Sequence, residues 1–192
     1  VNAPVMAFGT ADAGRSPLMQ SLIAAGLSGG GEGVDMNFQP DETLHDGQTL
    51  HVGDTQIIAL HTPGHMGNHL CFACGDILFS GDHVMGWASS LVSPPDGDMG
   101  AYMASLHRLA ALNWSQMLPG HGEPVTNPAA RLAELIAHRL TREAQVLHAL
   151  SQSPGTAADL AARIYQDTPA ALLPAAARNV LAHLIDLSDR NL

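Results

Sequence analysis

Two histidines and one aspartate each follow an apolar, strand-like run and stand next to a glycine. They are His65, Asp82 and His121, in the segments His-Thr-Pro-Gly-His, Phe-Ser-Gly-Asp-His and Leu-Pro-Gly-His-Gly. Imidazole nitrogens and carboxylate oxygens are the ligands of hydrolytic zinc and related transition-metal centres. Glycine at a strand end permits the sharp turn and the close backbone approach that a rigid ligand site needs. The pattern therefore predicts that the three side chains converge on one metal centre.

Hydrolysis is the chemistry that such a centre performs. A carboxylate between two histidine sites can bridge two metal ions, which then share a hydroxide whose pKa falls toward neutral. Each residue alone also has a plainer interpretation, since a strand-end histidine is commonly a hydrogen-bonded surface residue and Asp82 could simply form a turn. His83 follows Asp82 directly, and we predict that it donates a hydrogen bond from behind the metal ligands.

The remaining histidines carry weaker signals. His61 is expected to point away from the His65 pocket, and His69 is expected to begin the next strand. Helical positions, where we expect exposed or capping side chains, hold four more: His107, His138, His148 and His183. Trp87 and Tyr102 could line a substrate pocket, although packing in the core explains them equally well.

Short β-rich runs, separated by Gly, Pro and Asp turns, predict the strands that position the motifs. These strands cover residues 5–8, 48–52, 55–60, 69–73, 77–80 and 115–118. Apolar residues at helical spacing predict helices at 17–25, 102–112, 128–150, 156–165 and 175–188. The glycine-rich residues 28–33 are expected to form a mobile loop, and residues 84–98 an irregular loop beside the site.

The sequence divides at residues 151–155 into two predicted domains. Residues 1–150 hold the strands and the three motifs, and residues 151–192 hold helices only. In the long helix at 128–150 we predict an apolar stripe that includes Leu140 and Leu147, with Arg131 and His138 on the other side. The tail opens with a capping box formed by Thr156 and Asp159, and its two helices resemble a helix-turn-helix.

Charge and composition exclude several classes of function. The chain has 192 residues, of which 46% are hydrophobic, so a packed core is expected. Its formal charge is −10, it contains no lysine, and residues 1–100 hold eleven acids against one arginine. An acidic half suits cations and argues against binding a nucleic acid, because phosphates are held by Lys and Arg. The tail, with three Arg and four Asp, argues against DNA binding as well.

The cysteines and the hydropathy pattern bear on location. Cys71 and Cys74 are three apart in a predicted strand, so their side chains point to opposite faces, which disfavours a disulfide or a shared metal. A chain without a disulfide framework suits a reducing, cytoplasmic setting. No uninterrupted apolar run of about 18 residues occurs and the first residues lack signal-peptide features, so we expect no membrane association.

The three motifs resemble those of the metallo-β-lactamase superfamily. Its branch of lactamase-like, glyoxalase II-like hydrolases with a C-terminal winged-helix appendage is the most similar. Further matching segments are His138-Arg139, Arg142-Glu143, Ile164-Tyr165 and Ala182-His183-Leu184. The resemblance implies a mixed α/β fold, the C-terminal part of an αββα sandwich, followed by a winged-helix-like helical tail whose wing is expected to be missing. It also implies two metal ions, zinc or alternatively manganese or iron. His65 would bind the first ion, Asp82 would bridge, and His121 would bind the second.

One departure from the family limits these expectations. The family's His-x-His-x-Asp-His motif, which supplies the other ligands and the catalytic aspartate, is not present in these 192 residues. We therefore expect weak or absent metal binding in the chain, which would be the inactive C-terminal lobe of a hydrolase of a small ester, thioester, lactone or phosphoester. Half a sandwich should also dimerise, exchange elements or aggregate. Two alternatives are an endoribonuclease of this superfamily and a non-catalytic interaction module with a decayed metal site.

Overall fold

A computed structural model of the chain describes residues 3–29 and 33–192. Its strands are β1 (Met6–Ala7), β2 (Glu42–Thr43), β3 (Thr49–Val52), β4 (Thr55–His61), β5 (Leu70–Cys74), β6 (Ile77–Gly81) and β7 (Gln116–Pro119). Its helices are α1 (Pro17–Ala24), α2 (Met99–Ala110), α3 (Pro128–Gln152), α4 (Ala157–Ile164) and α5 (Leu173–Asp189), with a short 3₁₀ helix at Ala170–Leu172. The loop predicted at 28–33 falls partly on residues outside the described ranges.

The direction of the strands brings the motifs together. A five-stranded sheet has the order β3-β4-β5-β6-β7, and a separate parallel pair joins β1 to β2. Strands β3 to β6 are antiparallel to their neighbours, whereas β7 runs parallel to β6. Consequently β4, β6 and β7 all end at the same end of the sheet, where β5 begins. We call this end the site end of the sheet.

One face of the sheet is covered by helices. Its inward residues, such as Cys71, Leu78 and Met117, form a buried core with Tyr102 of α2 and Leu132 of α3. The opposite face is more open. Phe72 and Phe79 are paired there across β5 and β6, and Phe79 is 45% exposed. Burying such an aromatic ring would remove an apolar area large enough to contribute on the order of 1 kcal/mol or more.

The buried stripe of α3 differs from the predicted one. In α3, the predicted Leu140 and Leu147 are exposed, and Arg139 is buried instead. The physical reason is that α3 has two partners: its first half packs on the sheet core with α2, and its second half packs on α4, so the buried side turns along the helix.

Helix α5 joins two cores. The capping box is present, since the Thr156 hydroxyl accepts from the Asp159 N–H while the Asp159 carboxylate accepts from the Thr156 N–H. Val180 of α5 is buried with α3 and α4, whereas Ala182 belongs to the sheet core. His183, predicted to be exposed or capping, is buried, because this face of α5 packs against the rest of the chain.

Among the described residues, one helical segment, Ala170–Asp189, is long and apolar enough to cross a membrane by length and composition alone. No such segment is predicted from the sequence, because the sequence has no uninterrupted apolar run of about 18 residues. Core helices of soluble proteins can have the same length and composition. Here α5 packs against α4, and Arg190, directly after it, forms ion pairs with Glu143 of α3 and with Asp186.

Candidate metal centre

The second and third motifs meet at the site end of the sheet. Asp82 follows β6 directly, His121 lies two residues after β7, and the Nε2 atom of His121 is 3.6 Å from Oδ2 of Asp82. The other carboxylate oxygen, Oδ1, is buried and has no hydrogen-bond partner among the described residues. A Cβ atom on Gly120 would stand only 2.8 Å from this oxygen, so the glycine is what permits the close approach.

His65 is oriented by a backbone carbonyl. It lies in the loop after β4, and its Nδ1 atom is 2.7 Å from the carbonyl oxygen of Leu91. Because a carbonyl only accepts, Nδ1 must carry the proton, and Nε2 keeps the lone pair that can bind a cation. A hydrogen bond of this kind is how metal-binding histidines are commonly fixed in one tautomer.

The ring of His69 lies between those of His65 and His83. From the sequence, His69 was only a weak candidate for the site. Its ring is 6.3 Å from that of His65 and 5.5 Å from that of His83, centroid to centroid. Its Nδ1 atom is 2.9 Å from the Thr62 hydroxyl. Burial lowers the pKa of His69 to about 4, with a further contribution from the neighbouring histidines. The antiparallel start of β5 at the site end was the signal that could have identified it.

His83 is buried directly behind Asp82. Neither of its ring nitrogens has a hydrogen-bond partner in the described part of the chain. Burial lowers the pKa of its imidazole well below 6.5, and the nearby histidines and Arg139 act in the same direction. Its backbone carbonyl accepts a hydrogen bond from the Tyr102 hydroxyl at 3.1 Å. The predicted donation from His83 to the metal ligands stays a prediction, because no such bond is described.

The other side chains near the site differ in their contacts and in their exposure to solvent. His61 stacks on Phe8, and its Nε2 atom lies 2.8 Å from the Gly67 carbonyl oxygen. Tyr102 is fully buried, so it does not line an open pocket. Trp87 is 71% exposed and lies beside Gly122, next to His121, where it could contact a substrate.

Three buried histidines predict acid sensitivity of the fold. Burial lowers the pKa of His69 to about 4 and that of His183 to about 3, and it lowers the pKa of His83 as well. In the unfolded chain these groups titrate near 6.5, so below that pH the unfolded state binds more protons and unfolding becomes easier. We expect the free energy of unfolding to fall from pH 6.5 down to about 4, by up to about 1.4 kcal/mol per pH unit for each histidine.

Urea unfolding at pH 7.5, 6.0 and 5.0 measures this slope. His183→Leu should reduce the slope of unfolding free energy against pH by up to about 1.4 kcal/mol per pH unit. The variant lacks one buried group that gains a proton when the chain unfolds at low pH. His148→Leu, at an exposed helical position, is the matched control and should leave the slope unchanged. An unaltered slope in His183→Leu would show that protonation of His183 does not contribute to the acid sensitivity of the fold.

The donors fit a metal centre in kind but not in number. A free histidine nitrogen, an unpartnered carboxylate oxygen and a second histidine beside it are the donor types that zinc takes. Within residues 3–29 and 33–192, however, no three His, Cys, Asp or Glu side chains are arranged so that they could hold an ion by themselves. Cys71 and Cys74 do not add to the set, since both are free thiols and burial raises the pKa of Cys71 to about 12.

One sizeable cleft of the described chain lies away from the three motifs. A cleft of about 580 Å³ is lined by residues of α3 and α4, among them His148 and Arg163, and by none of the three motifs. At the site end of the sheet, the His121 side chain is 72% exposed and that of Asp82 is 34% exposed. A substrate would therefore meet this part of the site from solvent.

Family models match both parts of the chain. The model of the metallo-beta-lactamase superfamily matches residues 5–121, and the model of the beta-lactamase associated winged helix domain matches residues 156–192. Because the first model covers more than half of the chain, this protein belongs to the metallo-beta-lactamase superfamily. The prediction of a mixed α/β fold of this superfamily with a winged-helix-like helical tail is confirmed.

Several curated proteins are similar in sequence to this chain. A Drosophila melanogaster protein described as "Beta-lactamase-like protein 2 homolog" is 36% identical over 158 residues, which cover 80% of this chain and 52% of that protein. The "Lactamase-like protein adaB" of Aspergillus niger is 41% identical over 58% of this chain and 35% of its own length. An Aspergillus chevalieri relative described as "Atrochrysone carboxyl ACP thioesterase" is 38% identical over 60% of this chain and 38% of its own. The chain thus spans about a third to a half of the length of these relatives.

Solved structures of the same superfamily are similar in fold to this chain. A metallo-beta-lactamase family protein from Thermus thermophilus superposes with a TM-score of 0.72 at 28% identity, covering 83% of this chain and 52% of that one. A beta-lactamase domain protein from Burkholderia ambifaria gives a TM-score of 0.72 at 25% identity, over 82% of this chain and 49% of its own.

Proposed function

We propose that the complete protein is a metal-dependent hydrolase of a small ester, thioester, lactone or phosphoester, and that His65, Asp82 and His121 are metal ligands of its active site. The observation that carries this proposal is the Asp82 carboxylate at the site end of the sheet: its Oδ2 lies 3.6 Å from Nε2 of His121, and its buried Oδ1 has no hydrogen-bond partner among the described residues. A buried anionic oxygen without a partner is costly unless a cation or a donor compensates it.

These three residues supply part of a ligand set. Each ion would receive at most two protein ligands from them, counting Asp82 for both, whereas catalytic zinc normally has three. The remaining ligands would have to come from residues other than these three. A bound metal would acidify a water molecule and polarise the scissile carbonyl or phosphoryl group.

Among the candidate substrates, a thioester is the first to test. The Aspergillus chevalieri relative carries the name of a thioesterase. The open, acidic half of the chain disfavours polyanionic substrates, since eleven acids face one arginine in residues 1–100. Trp87, which lies beside Gly122, offers an exposed apolar surface for an acyl chain.

A hydrolysis panel tests the proposal. The complete protein, loaded with zinc, manganese or iron, is assayed on acyl thioesters, aryl esters, lactones and phosphodiesters, before and after removal of the metal with a chelator. We expect turnover of at least one class, strongest for thioesters, that a chelator abolishes and added metal restores. Turnover that survives complete metal removal, or none on any class with metal bound, would overturn it.

A further inference from the structure

Helix α5 reaches the loop that orients His65. We call residues 90–93 the orienting loop. Its Leu91 carbonyl accepts from His65 Nδ1 at 2.7 Å, and its Ser90 hydroxyl donates to the backbone carbonyls of Asp82 and His83, the latter at 2.9 Å. The loop therefore contacts both the side chain of one proposed ligand and the backbone of another.

The tail holds the same loop from the other side. Asn179 Oδ1 accepts from the Val92 N–H at 3.1 Å and from Arg139 Nη1 at 3.2 Å. Arg139 in turn donates to the carbonyl of Ser90. Next to Asn179, the Arg178 Nε donates to the Ser93 hydroxyl at 2.9 Å. Ser90, Val92, Ser93 and Arg139 are all buried, so water does not readily replace these partners.

One peptide unit is bound at both of its polar ends. The carbonyl of Leu91 and the N–H of Val92 belong to the same planar amide, so the orientation of one fixes the orientation of the other. The carbonyl contacts His65, and the N–H contacts Asn179. Hydrogen bonds in series also polarise one another, which strengthens both in a buried setting. Asn179 therefore acts on His65 through a rigid group rather than through a flexible side chain.

We propose that Asn179 is a positioning residue for His65: it sets the Leu91–Val92 peptide, directly and through Arg139, so that the Leu91 carbonyl fixes the imidazole with Nδ1 protonated and Nε2 free. The significance of this orientation rests on the proposed role of His65 as a metal ligand. Asn179 lies in the segment matched by the winged-helix model, so the tail would help to build the active site as well as stabilise the fold.

Long-range ¹H–¹⁵N NMR of the imidazole rings tests this in the metal-free protein at pH 8, because it reports which ring nitrogen carries the proton. Wild-type His65 should show Nδ1 protonated. Asn179→Ala should shift it to a mixture of tautomers, since Val92 and Arg139 lose their acceptor. Asn179→Asp keeps that acceptor and should restore the wild-type pattern. Val180→Ala, at a buried neighbour of the same helix, controls for loss of packing and should leave His65 unchanged.

An unchanged His65 tautomer in Asn179→Ala, or an equal shift in Val180→Ala, would overturn the proposal. If Asn179→Ala does not fold, Asn179→Leu, which keeps a side chain of similar volume and lacks the acceptor oxygen, is the second variant: a tautomer shift supports the proposal and an unchanged tautomer overturns it.

Competition with a zinc chelator separates this inference from the proposed function. Losing such an outer partner should weaken metal binding of the complete protein by about 10–100-fold. A tautomer shift with unchanged zinc affinity would support the role of Asn179 and count against His65 as a ligand.

Discussion

Gly64→Ala should prevent the protein from folding stably. Gly64 has a φ of +141°, a backbone conformation that residues with a Cβ rarely adopt, and a Cβ there would stand 2.2 Å from Cα of Tyr102. The obstructing atoms belong to the backbone of α2, which cannot move aside as a side chain could. The Gly64 carbonyl also accepts the Asp98 N–H at 2.9 Å, at the start of that helix.

We expect the substitution to cost more than about 4 kcal/mol, in the range that only severe clashes and lost networks reach. Since domains of this size have about 5–15 kcal/mol of stability, most of it would be lost. Thermal and urea unfolding measure the effect. Gly53→Ala is the matched control, because Gly53 has a φ of +60° with nothing within 4 Å of an added Cβ. It should lose only about 1–2 kcal/mol. Equal losses in the two variants would refute the clash.

Asp82→Asn should abolish hydrolysis while leaving the fold intact. The amide has nearly the same shape as the carboxylate, and the Asp82 side chain is 34% exposed, so we expect a change in unfolding free energy within about 1 kcal/mol. The variant loses the negative charge that would attract a cation and the second oxygen that could bridge two ions. We expect turnover of the complete protein to fall by more than about 100-fold, beyond the effect of losing an outer partner.

Asp76→Asn is the control for this prediction. Asp76 is an exposed acid in the turn between β5 and β6, at the far end of the strand that leads to Asp82. It carries the same change in net charge without touching the site, so turnover and stability should both stay near wild type. If Asp82→Asn retained as much turnover as Asp76→Asn, the carboxylate would have no part in the reaction.

The bounds of strands β3 to β7 could be predicted from the sequence because turn residues divide them sharply, whereas the short strand β2 was not predicted. Gly53-Asp54 and Gly75-Asp76 bound the strands β3 to β6, and the predicted ranges lie within one or two residues of the observed ones. Once β4, β6 and β7 are known to run in the same direction, the motifs after them must lie at one end of the sheet.

Three features of the site could not be predicted. The Leu91 carbonyl that orients His65 lies in an irregular loop, and a backbone carbonyl leaves no signature in residue type. The burial of Arg139 was missed because helical periodicity assumes one packing direction, whereas α3 has two partners in succession. Asn179 carries no chemical signal in the sequence, and only the fold brings it to the orienting loop.

The metal content of the complete protein tests the central claim most directly. It is measured by elemental mass spectrometry for the wild type, His65→Ala, Asp82→Asn, His121→Ala and, as a control at an exposed helical position, His107→Ala. We predict about two ions per chain in the wild type and in the control, with at least one ion lost in each of the other three. Wild-type metal content in all three would show that these side chains do not share an inorganic centre.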